Sequence, residues 1–203
     1  MAQPTSMHKT SHHNWKEHVD AIHALLQALE ITDGAGHAIP IQDGFKKWED
    51  ATLSLREHRG TVFLIGNGAS ASMASHMAAD LAKNAHLHTE VFFDVALITA
   101  ISNDLGYDKV FSEPLSRRCN PNDILVAISS SGNSPNVLSA VNVANKHGLM
   151  VVSLTAMAAN NPLRRAGSLN LYVPADTYSK AESCHASILH HWMDMVEIKD
   201  SKP

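Results

Sequence analysis

"TVFLIGNGASASMASHMAADLAK", residues 61–83, decides the fold. Thr61 and four apolar residues, Val62 to Ile65, run into a glycine pair, Gly66 and Gly68, and emerge as an alanine-rich helical segment. The glycines allow positive φ and a close approach of backbone to a ligand. The helix begins near Ser70 or Ala71, where free N–H groups and the helix dipole suit a phosphate. Further along, His76 and Asp80 stand four residues apart and share one face. Such a pair can hold a metal, place a base beside an imidazole, or form a surface hydrogen bond.

Working outward, three more short apolar runs follow: "ILVAIS" (124–129), "MVVSLTA" (150–156) and "LNLYVP" (169–174). They alternate with helical segments, which predicts βαβ units around a buried parallel sheet. A short strand at "EVFF" (90–93) and a helix ending near Asn103 are expected between the first two. The last helix is expected from about Glu182 to Glu197. Upstream, "NWKEHVDAIHALLQALE" (14–30) carries Val19, Ile22, Leu25, Leu26 and Leu29 at helical spacing. "ITDGAGHAIP" (31–40) reads as a break, and a second helix is expected from Gln42 to about His58. These two helices are expected to form an outlying pair, packed on the sheet or on a neighbouring subunit. The expected division is a 1–41 extension and a 42–203 α/β domain.

The second glycine turn strengthens the phosphate reading. "AISSSGNSPNV" (127–137) gathers Ser129, Ser130, Ser131 and Ser134 around Gly132, with Pro135 suited to the first turn of the next helix. A helix cap at Ser134 explains one serine and leaves three. No GxxxxGK[ST] is present and no dinucleotide fingerprint is complete, which argues against nucleotides. Two such turns at the carboxyl ends of parallel strands predict a clamp for a phosphomonoester.

The last helix brings Glu182, His185, His190, His191 and Asp194. If all of it is helical, Glu182 and His190 are about 12 Å apart in rise, too far to share one ion. They meet only if Glu182 lies at or before the helix start. His190 with Asp194 is a rival pair, and which histidines turn inward stays open.

With 16 basic and 20 acidic residues and no block of either sign, the chain is not expected to bind nucleic acid or a membrane. Cys119 and Cys184 form no CxxC and are expected to stay reduced. No leader-like or membrane-length apolar run is present, so a cytoplasmic protein is expected. Among fourteen histidines, His12, His13, His86 and His88 sit in polar surroundings and read as solvated.

Four strings, "GNGASASMASHMAADL", "AISNDLGYDKVFSEPL", "DILVAISSSGNSPNVLSAV" and "AESCHASILHHWMDMVE", together resemble the phosphoheptose isomerases of the sugar isomerase (SIS) class. The resemblance covers roughly residues 43–197. It implies a flavodoxin-like, three-layer α/β fold, a homotetramer with sites near subunit interfaces, and a small-molecule sugar phosphate as ligand. The implied reaction interconverts sedoheptulose 7-phosphate and D-glycero-D-manno-heptose 7-phosphate through an enediol, for lipopolysaccharide or other heptose-containing glycans. Carried over by position, the substrate contacts are Asn67, Ser70, Asn103, Asp104, Ser129, Ser130, Ser131, Ser134 and Glu182. Asp80 becomes the base and His190 the acid, and a zinc site falls on His76, Asp80, Glu182 and His190. Asp80 stands where the family has glutamate, and Glu182 where it has glutamine. The competing expectation is a non-catalytic SIS-domain adaptor or regulatory protein that binds a sugar phosphate or a replication initiator, which needs the fold but no acid–base pair.

Overall fold

The structure is a computed structural model that describes residues 14–198. The readings of His12 and His13, like the first part of the 1–41 extension, lie outside the described residues.

The chain alternates as the apolar runs require. Helix α1 (Trp15–Gln27) is followed by strands β1 (Glu30–Asp33) and β2 (Ala38–Ile39), then α2 (Ile41–Glu57) and β3 (Thr61–Gly66). Next come α3 (Ala69–Asn84), β4 (His88–Glu90), α4 (Val95–Leu105), α5 (Ser112–Arg118) and β5 (Ile124–Ser129). Helix α6 (Pro135–Lys146), β6 (Met150–Thr155), β7 (Leu169–Tyr172) and α7 (Tyr178–Val196) complete it. Strands β3 and β5 are buried along their whole length, as strands covered by helices on both faces must be. The sheet order is β2-β1-β7-β6-β5-β3-β4. Strands β3 to β7 pair in parallel.

One core lies between the sheet and α2, α3 and α7; a second lies between the sheet and α4, α5 and α6. The result is three layers. Because the chain leaves β3 toward β4 and then crosses to β5 on the other side, the carboxyl ends of β3 and β5 form the switch point, where α/β sheets bind ligands.

Four expectations need correction. The "ITDGAGHAIP" segment is not a mere break: β1 and β2 form a hairpin, and β1 pairs antiparallel with β7, making the sheet mixed. Asp33 closes its turn by accepting from Ala35 N and His37 N, both at 2.9 Å. The strand expected at "EVFF" is centred earlier, because His88–Glu90 is the part that pairs with Thr61–Phe63. Phe92 instead stacks against Phe63, with ring centroids 5.7 Å apart. Helix α4 runs on to Leu105 and stops at Gly106, whose φ is +99°. Helix α7 starts four residues earlier than expected, at Tyr178, capped by the Thr177 hydroxyl, which places Glu182 in its second turn.

The two N-terminal helices differ in how they dock. Helix α2 is built into the core: Trp48 stacks on Trp192 of α7 at 4.2 Å, and Trp192 Nε1 donates to Thr52 Oγ1. Helix α1 buries no residue fully, but lays Ile22, Leu25 and Leu26 against the same core and leaves Trp15 and Val19 exposed. Among the described residues, no helix is long and apolar enough to cross a membrane.

His185 of α7 is wholly buried and bonds through Nε2 to Thr155 O at 3.2 Å. A carbonyl only accepts, so Nε2 carries the proton; Nδ1 has no partner among the described residues. Burial pushes its pKa from 6.5 down to about 4. An unfolded chain takes up this proton as pH falls through 6.5, while the folded chain resists until about 4. Stability carried by this group is therefore full above the unfolded value and falls by about 3 kcal/mol across that window. Thermal melts from pH 7.5 to 4 should show this slope, and His185→Gln should flatten it relative to the parent chain. Parallel slopes would contradict the assignment.

Candidate functional site

The cradle forms where β3 and β5 end side by side. Gly66 closes β3 against the other turn: a Cβ there would lie 2.6 Å from Ser70 Cβ and 2.9 Å from Ile128 O. Gly68, at φ +56°, turns the chain into α3. On the β5 side, Gly132 sits at φ +63°, and the Asn161 side chain fills the space where its Cβ would go. Ser129 Oγ lies 3.3 Å from Ser134 Oγ, and Ser131 Oγ accepts from Asn133 N. Between the turns is a cavity of about 280 Å³, lined by Asn67, Gly68, Ser70, Ser129, Ser130, Ser131 and Ser134, with Tyr178 and Glu182 at the α7 side.

No lysine or arginine is among these lining residues. Hydroxyls and the N-terminal ends of α3 and α6 supply the positive potential, an arrangement that accepts a phosphate through neutral donors. Among the described residues Glu182 is the lone carboxylate in the lining, and its oxygens can accept from sugar hydroxyls.

The second group lies where α3 packs on α7. His76 Nε2 is 3.2 Å from Asp80 Oδ2, and the His76 and His190 rings meet edge to face at 5.4 Å. Ligand atoms of His76, Asp80 and His190 all lie within 4.8 Å of one another. Two imidazoles and a carboxylate are donors of the type that would hold zinc. Within one chain Glu182 does not join them. It is inside α7, and eight residues of helix separate it from His190, about 12 Å of rise. The expected four-residue metal set is thus divided: three residues converge and the fourth faces the cradle. Asp194, the rival partner of His190, lies outside the converging group.

Along α3, His76 is about 9 Å and Asp80 about 15 Å beyond Ser70 in rise. His76, Asp80 and His190 are not among the residues lining the cavity. Asn103 and Asp104 do not line the cavity; they are exposed at the end of α4 and bond to each other at 2.8 Å. What links their segment to the cradle is Tyr107, whose hydroxyl donates to Asn67 Oδ1 at 3.2 Å. Tyr107 and Asn136, which bonds to Asn67 from the other side, were not singled out from the sequence, although both lie within the strings that carried the resemblance.

A larger cleft of about 750 Å³ opens at the opposite pole, around Ser54, His58, Arg59 and Asp123. Its buried carboxylate is occupied: Asp123 accepts from Thr61 N at 2.8 Å and Asn120 N at 2.7 Å. The smaller cavity is the one that lies at the carboxyl ends of β3 and β5.

The chain is similar in sequence and in fold to known proteins. The SIS domain family model matches residues 41–156. A phosphoheptose isomerase from Helicobacter pylori is 31% identical over 163 residues, covering 77% of this chain and 84% of its own. One from Rhodospirillum rubrum is 36% identical over 152 residues, covering 72% and 80%. Among solved structures, phosphoheptose isomerase GmhA from Neisseria gonorrhoeae superposes with a TM-score of 0.76 at 27% identity, covering 90% of this chain and 97% of that one.

Proposed function

The chain belongs to the SIS-domain family of phosphoheptose isomerases, and from that premise we propose that it interconverts sedoheptulose 7-phosphate and D-glycero-D-manno-heptose 7-phosphate. One observation carries the reading: His76, Asp80 and His190 converge as a carboxylate–imidazole cluster on α3, the helix whose first turn brings Ser70 to the neutral-donor cradle. A sensor or adaptor needs the cradle and has no use for the cluster.

The serines and the two helix ends hold the phosphate, which fixes the far end of the sugar and lowers the entropic part of the barrier. Asp80 takes a proton from the carbon beside the carbonyl, and His190 returns one to the adjacent carbon of the enediol. Their mutual approach supports this division of labour. Glu182, on the cradle side, receives the sugar hydroxyls. This proton transfer is by Asp80 and His190 free of metal; His76, Asp80 and His190 would alternatively hold zinc, which would supply Lewis-acid polarisation of the carbonyl oxygen. We place the reaction in the cytoplasm, in a homotetramer, on the path to heptose-containing glycans such as lipopolysaccharide. Residues 42–203 form the SIS domain in this reading, with 1–41 as an extension that adds the β1–β2 edge to its sheet.

Incubation with sedoheptulose 7-phosphate, followed by ¹³C NMR of the sugar carbons with and without zinc, tests the reading. The aldose should appear from the phosphate ester and not from the unphosphorylated ketose. No conversion in either zinc condition would leave the adaptor.

A further inference from the structure

Asn136 is the second residue of α6, 2% exposed, and does not line the cavity. Its side chain is nonetheless committed to the site. Nδ2 donates to Asn67 Oδ1 at 2.8 Å, and Oδ1 accepts from Asn67 Nδ2 at 2.9 Å. The same Oδ1 accepts from Val137 N at 3.0 Å. Two amides that exchange both bonds make a flat, two-point joint, which fixes separation and rotation together. Here the joint ties the turn after β3 to the first turn of α6, the two halves of the cradle.

Tyr107 closes the outer side. Its hydroxyl gives Asn67 Oδ1 a second donor, so turning that oxygen toward a ligand would break two bonds at once. Of the two N–H groups on Asn67 Nδ2, one is held by Asn136, and the other remains for a ligand in the cavity that Asn67 lines.

We propose that Asn136 is a positioning residue for the phosphate: without touching the ligand, it holds Asn67 and the spacing of the two glycine turns, and Tyr107 braces the same amide from outside. The kinetic part of this proposal rests on the isomerase reading; the binding part stands on inorganic phosphate alone.

The test is a double-mutant cycle on the full chain, read as the Kd of inorganic phosphate by ³¹P NMR and as KM and kcat for the sugar phosphate. Asn136→Ala should raise Kd and KM about tenfold with kcat within about twofold. On the Asn67→Ala background it should add nothing, since its effect passes through Asn67. Tyr107→Phe, at a half-exposed ring, should raise both constants about two- to threefold and guards against an Asn136 variant that fails to fold. Unchanged phosphate affinity in Asn136→Ala or Tyr107→Phe, a further loss on the Asn67→Ala background, or a fall confined to kcat would each overturn the proposal. A parent chain that binds phosphate but converts no sugar would defeat the isomerase reading and leave this one standing. A parent chain that binds no phosphate would defeat both.

Discussion

Asp80→Asn is expected to lower kcat by about 10³-fold, the middle of the range for losing a positioned acid–base group, while the Kd of inorganic phosphate stays at its parent value. The amide keeps the shape of the carboxylate and still offers an oxygen to His76 Nε2, now at 3.2 Å, so the packing of α3 on α7 is preserved. What it loses is the ability to take a proton. The cradle is about 15 Å of helix rise away, at the other end of α3, and does not depend on that charge. Steady-state kinetics and phosphate titration of the same preparation separate the two effects. A variant that keeps a tenth or more of parent activity would remove Asp80 from the role of base. A variant that loses phosphate affinity in parallel would mean that the two ends of α3 are not independent.

Gly132→Ala should be the most damaging single-methyl change in the cradle. Two costs add. The residue sits at φ +63°, where a Cβ costs about 1–2 kcal/mol, and the new methyl would start 1.9 Å from Asn161 Oδ1. Asn161 has little room to yield, since its Nδ2 donates to Ala158 O at 2.9 Å and its Oδ1 accepts from Arg164 N at 2.9 Å. Overpacking of this kind adds about 1–3 kcal/mol, for a total of about 2–5 kcal/mol. Phosphate binding should be lost with it, because the serines on either side are carried by the same turn. Gly148→Ala is the control: φ is +79° there, but nothing lies within 4 Å of the added carbon, so only the backbone cost remains. Urea unfolding should separate the two variants by the packing term. Equal losses would show that the Asn161 contact yields freely.

The sequence disclosed the parts of the fold that repeat a local signal. Strands β3, β5, β6 and β7 are buried, mainly apolar runs because both faces are covered, and such runs can be read without knowing their neighbours. The β1–β2 hairpin could not be read this way. It is short, rich in turn residues, and has one buried side chain, Ile31; its pairing comes from the free edge of β7, 130 or more residues away in sequence. The cradle serines were legible because three of the four are redundant for a helix cap. The division of the four expected metal ligands was not, because it depends on where α7 begins. Thr177 starts that helix early enough to carry Glu182 to the cradle side. Likewise, three histidines of α7 have three different surroundings: His185 is sealed against Thr155, His190 meets His76, and His191 lies edge-on to Phe45. A helix of mixed polarity does not reveal which face its neighbours will cover.

The most direct test of the account is turnover of sedoheptulose 7-phosphate in D₂O by the parent chain, with deuterium located by ¹H and ¹³C NMR. Proton removal by Asp80 and return from His190 predict aldose formation with solvent deuterium at the two carbons of the enediol itself. A sugar phosphate that stays bound in the cradle, yet shows neither aldose nor deuterium at those carbons, would contradict it.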